Sequence, residues 1–199
     1  YQKDNLGRGG VGGDALQADA QDGSGVNNAN FTPAPDGEPG RLQMFIWTGA
    51  SPGRDGDFDT EVIRHQTTHG LSTRLVGGGV GIRNAQSAGL GEGWSDFYPL
   101  ALLSAPGDDV DGTYAFGAYV VHLIANFRQS YYFGLRRFPY STDLAKNPLT
   151  FNDIDPAQIS LHTGVPVTPL GGLTPGNAAE VHAQGEVWCA TLWDARANL

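Results

Sequence analysis

Two histidines separated by three residues give this chain its first chemical signal. His65 and His69 stand at positions i and i+4 of a segment that predicts a helix, so both rings project from the same side of it. Two imidazoles at this spacing can bind one zinc ion. The pair alone is a weak signal, because histidines four apart on a helix are more often packed or exposed residues.

Two carboxylates further along the chain strengthen the zinc hypothesis. Glu92 lies in the glycine-rich segment 91–96 and can supply a third ligand, which completes the two-histidine, one-glutamate set of an open catalytic zinc site. Asp96 follows one helical turn later, on the same side. It can accept the N–H of a ligating histidine and so orient that ring. The pattern predicts one zinc ion per chain.

The residue that follows the first histidine is unusual for such a site. Zinc peptidases carry H-E-x-x-H, in which the Glu takes a proton from the attacking water. Here that position holds Gln66, whose carboxamide has nearly the shape of a carboxylate but cannot accept the proton. The sequence therefore predicts a metal site that is kept and a general base that is lost.

Turn and capping signals predict the helices that position these residues. Asp57 or Asp59 can cap a helix that carries both histidines and ends near Val76, before three consecutive glycines. Further helices are predicted over 91–104, within 115–127 and over 178–199. Residues 128–176 contain many turns and little periodicity.

The first third of the chain has a different character. Turn-rich residues 1–40 precede a predicted strand at 42–47. The predicted fold class is therefore α+β, with a β- and loop-rich part over 1–57 and a mainly helical part over 58–199.

Composition limits the classes of partner. The chain has 199 residues, 40% of them hydrophobic, which suits one domain or two lobes that share a cleft. A net charge of −9 and the absence of a Lys/Arg-rich segment argue against nucleic acid. No run of about 18 apolar residues predicts a membrane helix. Cys189 is the single cysteine, which rules out an intrachain disulfide, and its apolar surroundings predict a buried side chain.

Several longer motifs resemble the fungalysin family of secreted zinc metalloendopeptidases, which is related to the thermolysin-like gluzincins. The similarity covers almost the whole chain and is strongest over 55–78 and 90–98, around the candidate ligands. Other similar segments are 2–5, 21–25, 27–31, 139–142, 147–150, 181–182 and 185–188. The resemblance implies a thermolysin-like metallopeptidase fold, with the zinc site in the cleft between the two parts of the chain. It also implies a secreted or extracellular location, and protein or peptide substrates.

The resemblance also implies a role for each matching residue. The implied zinc ligands are His65, His69 and Glu92, with Asp96 supporting a ligand and Gln66 at the position of the general base. His182 would hydrogen-bond the developing oxyanion, although the residues alone predict only an ordinary helix histidine. Asn28 and Ala29 would pair with the substrate backbone on an edge strand. Arg136 would reach a substrate carbonyl, with Arg137 as a rival and a surface salt bridge as the simpler interpretation. His122 and His162 match no motif.

Two departures from the family pattern bear on activity. Gln66 removes a general base of the kind that typically contributes ~10²–10⁴-fold in rate, and Thr67 stands where the family leads us to expect an aromatic residue. Family catalytic domains also continue past the region of Trp193 with further helices. We therefore expect a C-terminal segment, and a leader and prodomain before residue 1, to lie outside the given sequence.

Two functions remain open from the sequence. The chain is a zinc endopeptidase in a weakened or inactive form, or it is a catalytically dead pseudopeptidase that serves as a zinc-stabilised peptide-binding or structural module. The intact Glu92, Asp96 and His182 favour the first function. Calcium near residues 55–59 is a further hypothesis, because related peptidases use calcium for stability, although helix capping explains those aspartates more simply.

Overall fold

The computed structural model describes residues 3–4, 7–157, 162–170 and 178–198, and within them the fold is mixed α+β, as predicted. Five short strands occupy the first third: β1 (Gln17–Asp19), β2 (Ala29–Thr32), β3 (Arg41–Met44), β4 (Ile46–Trp47) and β5 (Arg54–Asp55). The helices are α1 (Thr60–Leu75), α2 (Ala85–Leu103), α3 (Ser130–Phe133) and α4 (Val181–Ala197). Part of the family-like segment 2–5 and the predicted helix end at Leu199 lie outside the described residues. The predicted boundary between residues 57 and 58 stays a prediction.

The main sheet has three strands in the order β1-β3-β2. β1 runs parallel to β3, whereas β2 runs antiparallel to β3 with Ala29 opposite Met44. Within the described part of the chain, the other edge of β2 pairs with no strand. This open edge lies next to α1, so the sheet presents backbone groups to the helix that carries the two histidines.

The predicted strand at 42–47 is divided at Phe45. The Phe45 carbonyl accepts a hydrogen bond from the backbone N–H of Gly56 at 3.2 Å. The chain then continues as β4, which pairs with β5 in a separate two-stranded sheet. Apolar residues run without interruption from Met44 to Trp47, so the sequence gives no sign of this division.

Helix α1 begins where a capping signal predicts it. The Asp59 carboxylate accepts the backbone N–H groups of Glu61 and Val62 at 3.1 and 3.2 Å, so Asp59 and not Asp57 is the N-cap. The helix ends at Leu75, followed by Gly77 with a φ of +62°. Glycine adopts this left-handed conformation without the penalty that a side chain would impose.

The helix predicted within 115–127 is wrong. The structure describes all of these residues and places no α-helix there, since three residues other than glycine have left-handed backbone: Leu123, Ala125 and Asn126. The segment is held instead by the start of α1. Asp59 accepts the N–H of Val120 at 3.2 Å, and Glu61 accepts the N–H of Gly117 at 2.6 Å. These contacts join parts of the chain that are distant in sequence, so local periodicity cannot predict them.

Glu61 should make the stability of the fold depend on pH. Burial, with the neighbouring Asp59 charge, raises the pKa of Glu61 from 4.5 to about 7. A carboxyl group with a raised pKa stabilises the fold below the unfolded pKa, and this contribution is lost as pH rises through the folded pKa. Between about pH 4.5 and 7, the unfolding free energy should therefore fall less steeply with rising pH in Glu61→Gln than in the unchanged protein. The difference between the two slopes should be at most ~1.4 kcal/mol per pH unit. Urea unfolding at a series of pH values measures this slope, and parallel curves for both proteins would contradict the prediction.

Helix α2 begins six residues earlier than the predicted start at Gly91. Asn84 and Ser87 form a capping box, which starts the helix at Ala85. The glycines that suggest a helix start serve a different purpose. A Cβ on Gly93 would lie 2.6 Å from the carbonyl oxygen of Gly185 on α4, so the missing side chain allows close approach of the two helices.

One hydrophobic core joins the sheet to the helices. Its buried members come from the sheet and from all four helices, and the most deeply buried are Val120, Tyr140, Cys189 and Trp193. Helix α4 agrees with the predicted segment 178–199 to within a few residues, and Cys189 is buried as predicted. Among the helices that the structure describes, none is both long and apolar enough to cross a membrane.

Candidate metal centre

Three side chains from two packed helices converge at one point. His65 and His69 project from α1, and Glu92 projects from α2. His65 Nε2 lies 3.0 Å from His69 Nε2 and 3.2 Å from Glu92 Oε2, while His69 Nε2 lies 3.4 Å from Glu92 Oε1. Among the described residues, these three form the one group of His, Cys, Asp or Glu side chains whose donor atoms could hold a metal ion.

The spacing of the donor atoms fits zinc. Four ligands at 2.0–2.1 Å around a tetrahedral zinc ion are separated from one another by about 3.3 Å, close to the separations of 3.0–3.4 Å found here. Oε2 of Glu92 is buried and accepts no hydrogen bond from any described residue. A buried polar atom without a partner is costly, and a coordinated cation would remove that cost.

A buried carboxylate fixes the orientation of the first histidine. Asp96 Oδ1 lies 2.8 Å from His65 Nδ1. Because an ionised carboxylate only accepts hydrogen bonds, Nδ1 carries the proton and the neutral ring keeps the Nε2 lone pair for a metal. Asp96 also accepts hydrogen bonds from Nε and Nη2 of Arg136, each at 2.6 Å, and from the hydroxyl of Tyr140 at 2.5 Å. Burial would raise the pKa of Asp96, but the Arg136 charge and these hydrogen bonds hold it well below its usual range.

The electrostatics of the two histidines differ. Burial lowers the pKa of His69, which keeps its ring neutral, as a zinc ligand must be. Burial also acts against the charged form of His65, but the neighbouring carboxylates of Asp96 and Glu92 outweigh it and raise the pKa of His65. For Glu92, the two neighbouring histidine rings outweigh burial and lower its pKa. A proton and a metal ion therefore compete for Nε2 of His65.

Gln66 lies beside the ligands and contacts the edge strand. Its side chain is buried, with 9% of the residue exposed, and its Nε2 donates to the backbone carbonyl of Ala29 at 3.3 Å. The N–H of Ala29 donates to the side-chain oxygen of Asn28 at 2.9 Å. The structure thus places Gln66, Asn28 and Ala29 together, at the start of β2 and next to His65.

His182 lies at the mouth of the site. Its Nε2 is 3.4 Å from Glu92 Oε2, and 43% of its side chain is exposed. Its Nδ1 is 2.6 Å from Oε1 of Glu180, whose other oxygen caps α4 by accepting the N–H of Ala183. Glu180 therefore holds the ring at the start of α4, facing the three converging donors.

The two candidate arginines have different positions. Arg136 lines the cleft, but its guanidinium binds Asp96 and lies 4.8 Å from the centre of the Phe116 ring, with 7% of the side chain exposed. Arg137 is buried against Glu186 on α4, at 2.7 Å. The predicted salt bridges therefore exist, but they are buried and not at the surface. Contact of Arg136 with a substrate stays a prediction.

Two clefts flank the converging side chains. A cleft of about 330 Å³ on one side has apolar walls formed by Trp47, Val62, Phe116 and Leu135. A second cleft of about 360 Å³ contains Asn28, Asn30, His69, Thr73 and Glu92 among its lining residues. Five residues line both clefts, so the candidate metal centre lies between them: Asn28, Ala29, His65, Gln66 and His182.

Sequence reasoning missed two side chains that support the site. Tyr140 binds Asp96, and Glu180 binds His182. Tyr140 belongs to a segment that carries the family resemblance, and Glu180 stands two residues before His182, but neither fact predicts which group each side chain contacts. The two histidines that match no motif have partners away from the site. His122 lies 2.9 Å from Ser130 Oγ, and His162 lies 2.5 Å from Asp153.

The aspartates proposed for calcium have partners within the chain. Asp59 caps α1, and Asp55 accepts the N–H of Asp57 at 3.0 Å and the side-chain amide of Gln21 at 2.5 Å. Asp57 accepts the N–H of Gln21 at 3.1 Å. These contacts agree with the simpler interpretation as turn and helix caps, and they give calcium no support.

Comparison with known proteins gives a consistent result. The model of the family described as fungalysin metallopeptidase (M36) matches residues 1–199. Over 202 aligned residues, the chain is 39% identical to extracellular metalloproteinase 2 of Arthroderma gypseum. It is 38% identical to extracellular metalloproteinase mep of Aspergillus fumigatus and 41% identical to the protein of that name from Aspergillus flavus. Each alignment covers 100% of this chain and 27% of the relative, so the chain spans about a quarter of their length. With a family match over its full length, this chain belongs to the fungalysin metallopeptidase family.

Proposed function

We propose that this chain is the zinc-binding part of a secreted endopeptidase whose hydrolytic activity is weakened or absent because Gln66 replaces the general base. The observation that carries the proposal is the convergence of His65, His69 and Glu92 at 3.0–3.4 Å, with Gln66 beside them. The chemistry of this donor set matches an open catalytic zinc site, which uses three protein ligands.

In this proposal the three converging residues bind one zinc ion. Bound zinc would supply Lewis-acid activation of the attacking water and of the scissile carbonyl. Asp96 keeps the proton on Nδ1 of His65 and holds the ring in its orientation. Arg136 and Tyr140 keep Asp96 ionised and in place, because each donates to it from a buried position.

An extended peptide would lie along the open edge of β2. Asn28 and Ala29 would hydrogen-bond to its backbone, as happens when a peptide adds a strand to the exposed edge of a sheet. The apolar cleft beside His65, with Trp47 and Leu135 in its walls, would accept a hydrophobic side chain of the substrate. Its volume of about 330 Å³ is large enough for an aliphatic or aromatic group.

His182 would stabilise the negative charge that develops on the carbonyl oxygen. Its ring faces the cleft and is oriented by Glu180 at 2.6 Å. A donor that is positioned before the reaction stabilises this charge without having to reorganise. Arg136 also lines the cleft and would approach a substrate carbonyl from the opposite wall.

Gln66 is the residue that limits this chemistry. Its amide can orient a water molecule through its oxygen but cannot take up a proton. The scaffold therefore retains the proposed electrostatic stabilisation and lacks the proton transfer that general acid–base catalysis provides.

A second candidate function is a pseudopeptidase that binds peptides without cutting them. The hydrogen bond from Gln66 to Ala29 favours it, because that contact gives the amide a structural role that a carboxylate would not have. Zinc would then stabilise the fold and the cleft would hold an extended segment of a partner.

The relatives suggest the setting in which the chain acts. They are extracellular metalloproteinases, and each is aligned over 27% of its length. We therefore propose a secreted protein in which residues 1–57 and 58–199 form the two sides of the cleft. A prodomain and a C-terminal segment would accompany this chain in the full-length protein, which would act on proteins or peptides.

The test is proteolysis of an unfolded protein by the chain and by Gln66→Glu, each with and without a zinc chelator. If the variant cuts and the chelator stops it, the site is a zinc peptidase disabled at one residue. If both proteins bind zinc and neither cuts, the pseudopeptidase becomes the better account. A chain that binds no zinc would contradict both candidates.

A further inference from the structure

The backbone of Ala29 faces away from its partner strand. In an antiparallel pair, alternate residues direct both N–H and C=O away from the neighbouring strand. Ala29 is such a residue. Its partner Met44 on β3 directs its carbonyl away from β2, where it accepts the backbone N–H of Asp22 at 2.8 Å. The N–H and the carbonyl of Ala29 likewise form their hydrogen bonds outside the sheet. Ala29 therefore offers a peptide the backbone groups of an open strand edge.

Both of these groups already have partners in the peptide-free chain. The N–H donates to Asn28 Oδ1 at 2.9 Å, and the C=O accepts from Gln66 Nε2 at 3.3 Å. The two partners differ in exposure. Asn28 is exposed and can turn into solvent, whereas Gln66 is buried on α1 and cannot exchange its carbonyl partner for bulk water at the same low cost.

We infer that Gln66 competes with a bound peptide for the carbonyl of Ala29. This inference rests on the proposed function, since it requires that peptides bind along β2. A peptide N–H that takes the place of the Gln66 amide on this carbonyl leaves that donor buried without a partner. The glutamine at this position would therefore weaken peptide binding, an effect separate from the loss of the general base.

The expected effect is modest and measurable. A typical intramolecular hydrogen bond contributes ~0.5–1.5 kcal/mol net, which corresponds to about 2- to 12-fold in a dissociation constant. A side chain of similar volume without a donor, as in Gln66→Met, should therefore bind a peptide about 2- to 12-fold more tightly. Glutamate, which is ionised and cannot donate, should also release the carbonyl.

The experiment measures the dissociation constant of a fluorescein-labelled alanine peptide with one central leucine on the zinc-loaded chain. Gln66→Met and Gln66→Ala are compared with the unchanged protein, and zinc content verifies that each variant is folded. Gln184→Met is the matched control, because Gln184 also donates its side-chain amide to a backbone carbonyl, that of Ala178 at 3.0 Å, and does not line either cleft. Its affinity should equal that of the unchanged protein.

Methylation of the peptide N–H groups, one at a time, identifies the competing bond. The inference predicts one position at which methylation abolishes the gain of Gln66→Met and affects the unchanged chain less. Equal or weaker binding by both Gln66 variants would overturn the inference and leave the proposed function intact. If no protein in the series binds any peptide, the proposed peptide site fails, and the inference fails with it.

Discussion

Replacing Gln66 with glutamate is expected to raise the rate of peptide hydrolysis by roughly 10²–10⁴-fold, the usual contribution of a positioned general base. The physical reason is local. The side chain at position 66 lines both clefts beside His65, and glutamate has nearly the size of glutamine. A carboxylate there can accept the proton that the carboxamide cannot. The measurement is kcat/KM for a quenched fluorescent peptide with an apolar residue at its centre.

Two controls separate this gain from contamination and from changes in folding. The double variant Gln66→Glu with His69→Ala should lose the activity, because it restores the base but removes a metal ligand. Gln66→Asp should recover much less than glutamate, since its carboxylate is one methylene shorter. A glutamate variant that binds zinc and is no faster than the unchanged chain would contradict the claim that the missing base limits the proposed hydrolysis.

Replacing Asp96 with alanine is expected to lower both the stability of the fold and the affinity for zinc. Arg136, with 7% of its side chain exposed, would keep its charge without a partner, and breaking such a buried pair typically costs ~3–5 kcal/mol. His65 would also lose the acceptor on Nδ1, and removal of such a support typically lowers metal affinity ~10–100-fold. Urea unfolding of the metal-free protein and a zinc competition titration measure the two effects independently.

The second buried ion pair provides a matched control. Glu186→Ala removes the partner of Arg137, which is equally buried, but Glu186 is not in contact with His65. It should cost comparable stability and leave zinc affinity nearly unchanged. If both variants lower zinc affinity equally, the loss reflects general destabilisation, and the positioning role of Asp96 is wrong.

The parts of the site that could be predicted are those that depend on local helix geometry. His65 and His69 lie one helical turn apart on α1, and Glu92 and Asp96 one turn apart on α2, so spacing alone places each pair on one side of its helix. The sequence also limits the cap of α1 to Asp57 or Asp59, because the capping bonds, here from Asp59 to Glu61 and Val62, lie within three residues along the chain.

The parts that could not be predicted depend on contacts between distant segments. Tyr140 reaches Asp96 across 44 residues, and Glu61 holds Gly117 across 56. No periodic pattern indicates such contacts, and the apolar run around Val120 suggests a helix although the segment is a series of turns. Likewise, the glycines of α2 suggest a helix start until α4 is seen to pack against them.

The structure also changes the interpretation of Gln66. From the sequence, the residue is only an absent base. In the fold it is a buried hydrogen-bond donor to the edge strand, at 3.3 Å from the carbonyl of Ala29. The same substitution can therefore affect catalysis through the missing proton acceptor and peptide binding through the added donor.

Zinc stoichiometry tests the central claim most directly. The chain is dialysed against zinc at neutral pH beside His69→Ala and Glu92→Gln, and bound metal is measured by mass spectrometry. The account predicts one zinc per unchanged chain, with X-ray absorption showing two imidazole nitrogens and one carboxylate oxygen at about 2.0–2.2 Å, and strongly reduced binding by both variants. Undiminished zinc in the variants, or none in the unchanged chain, would show that His65, His69 and Glu92 are not a zinc site.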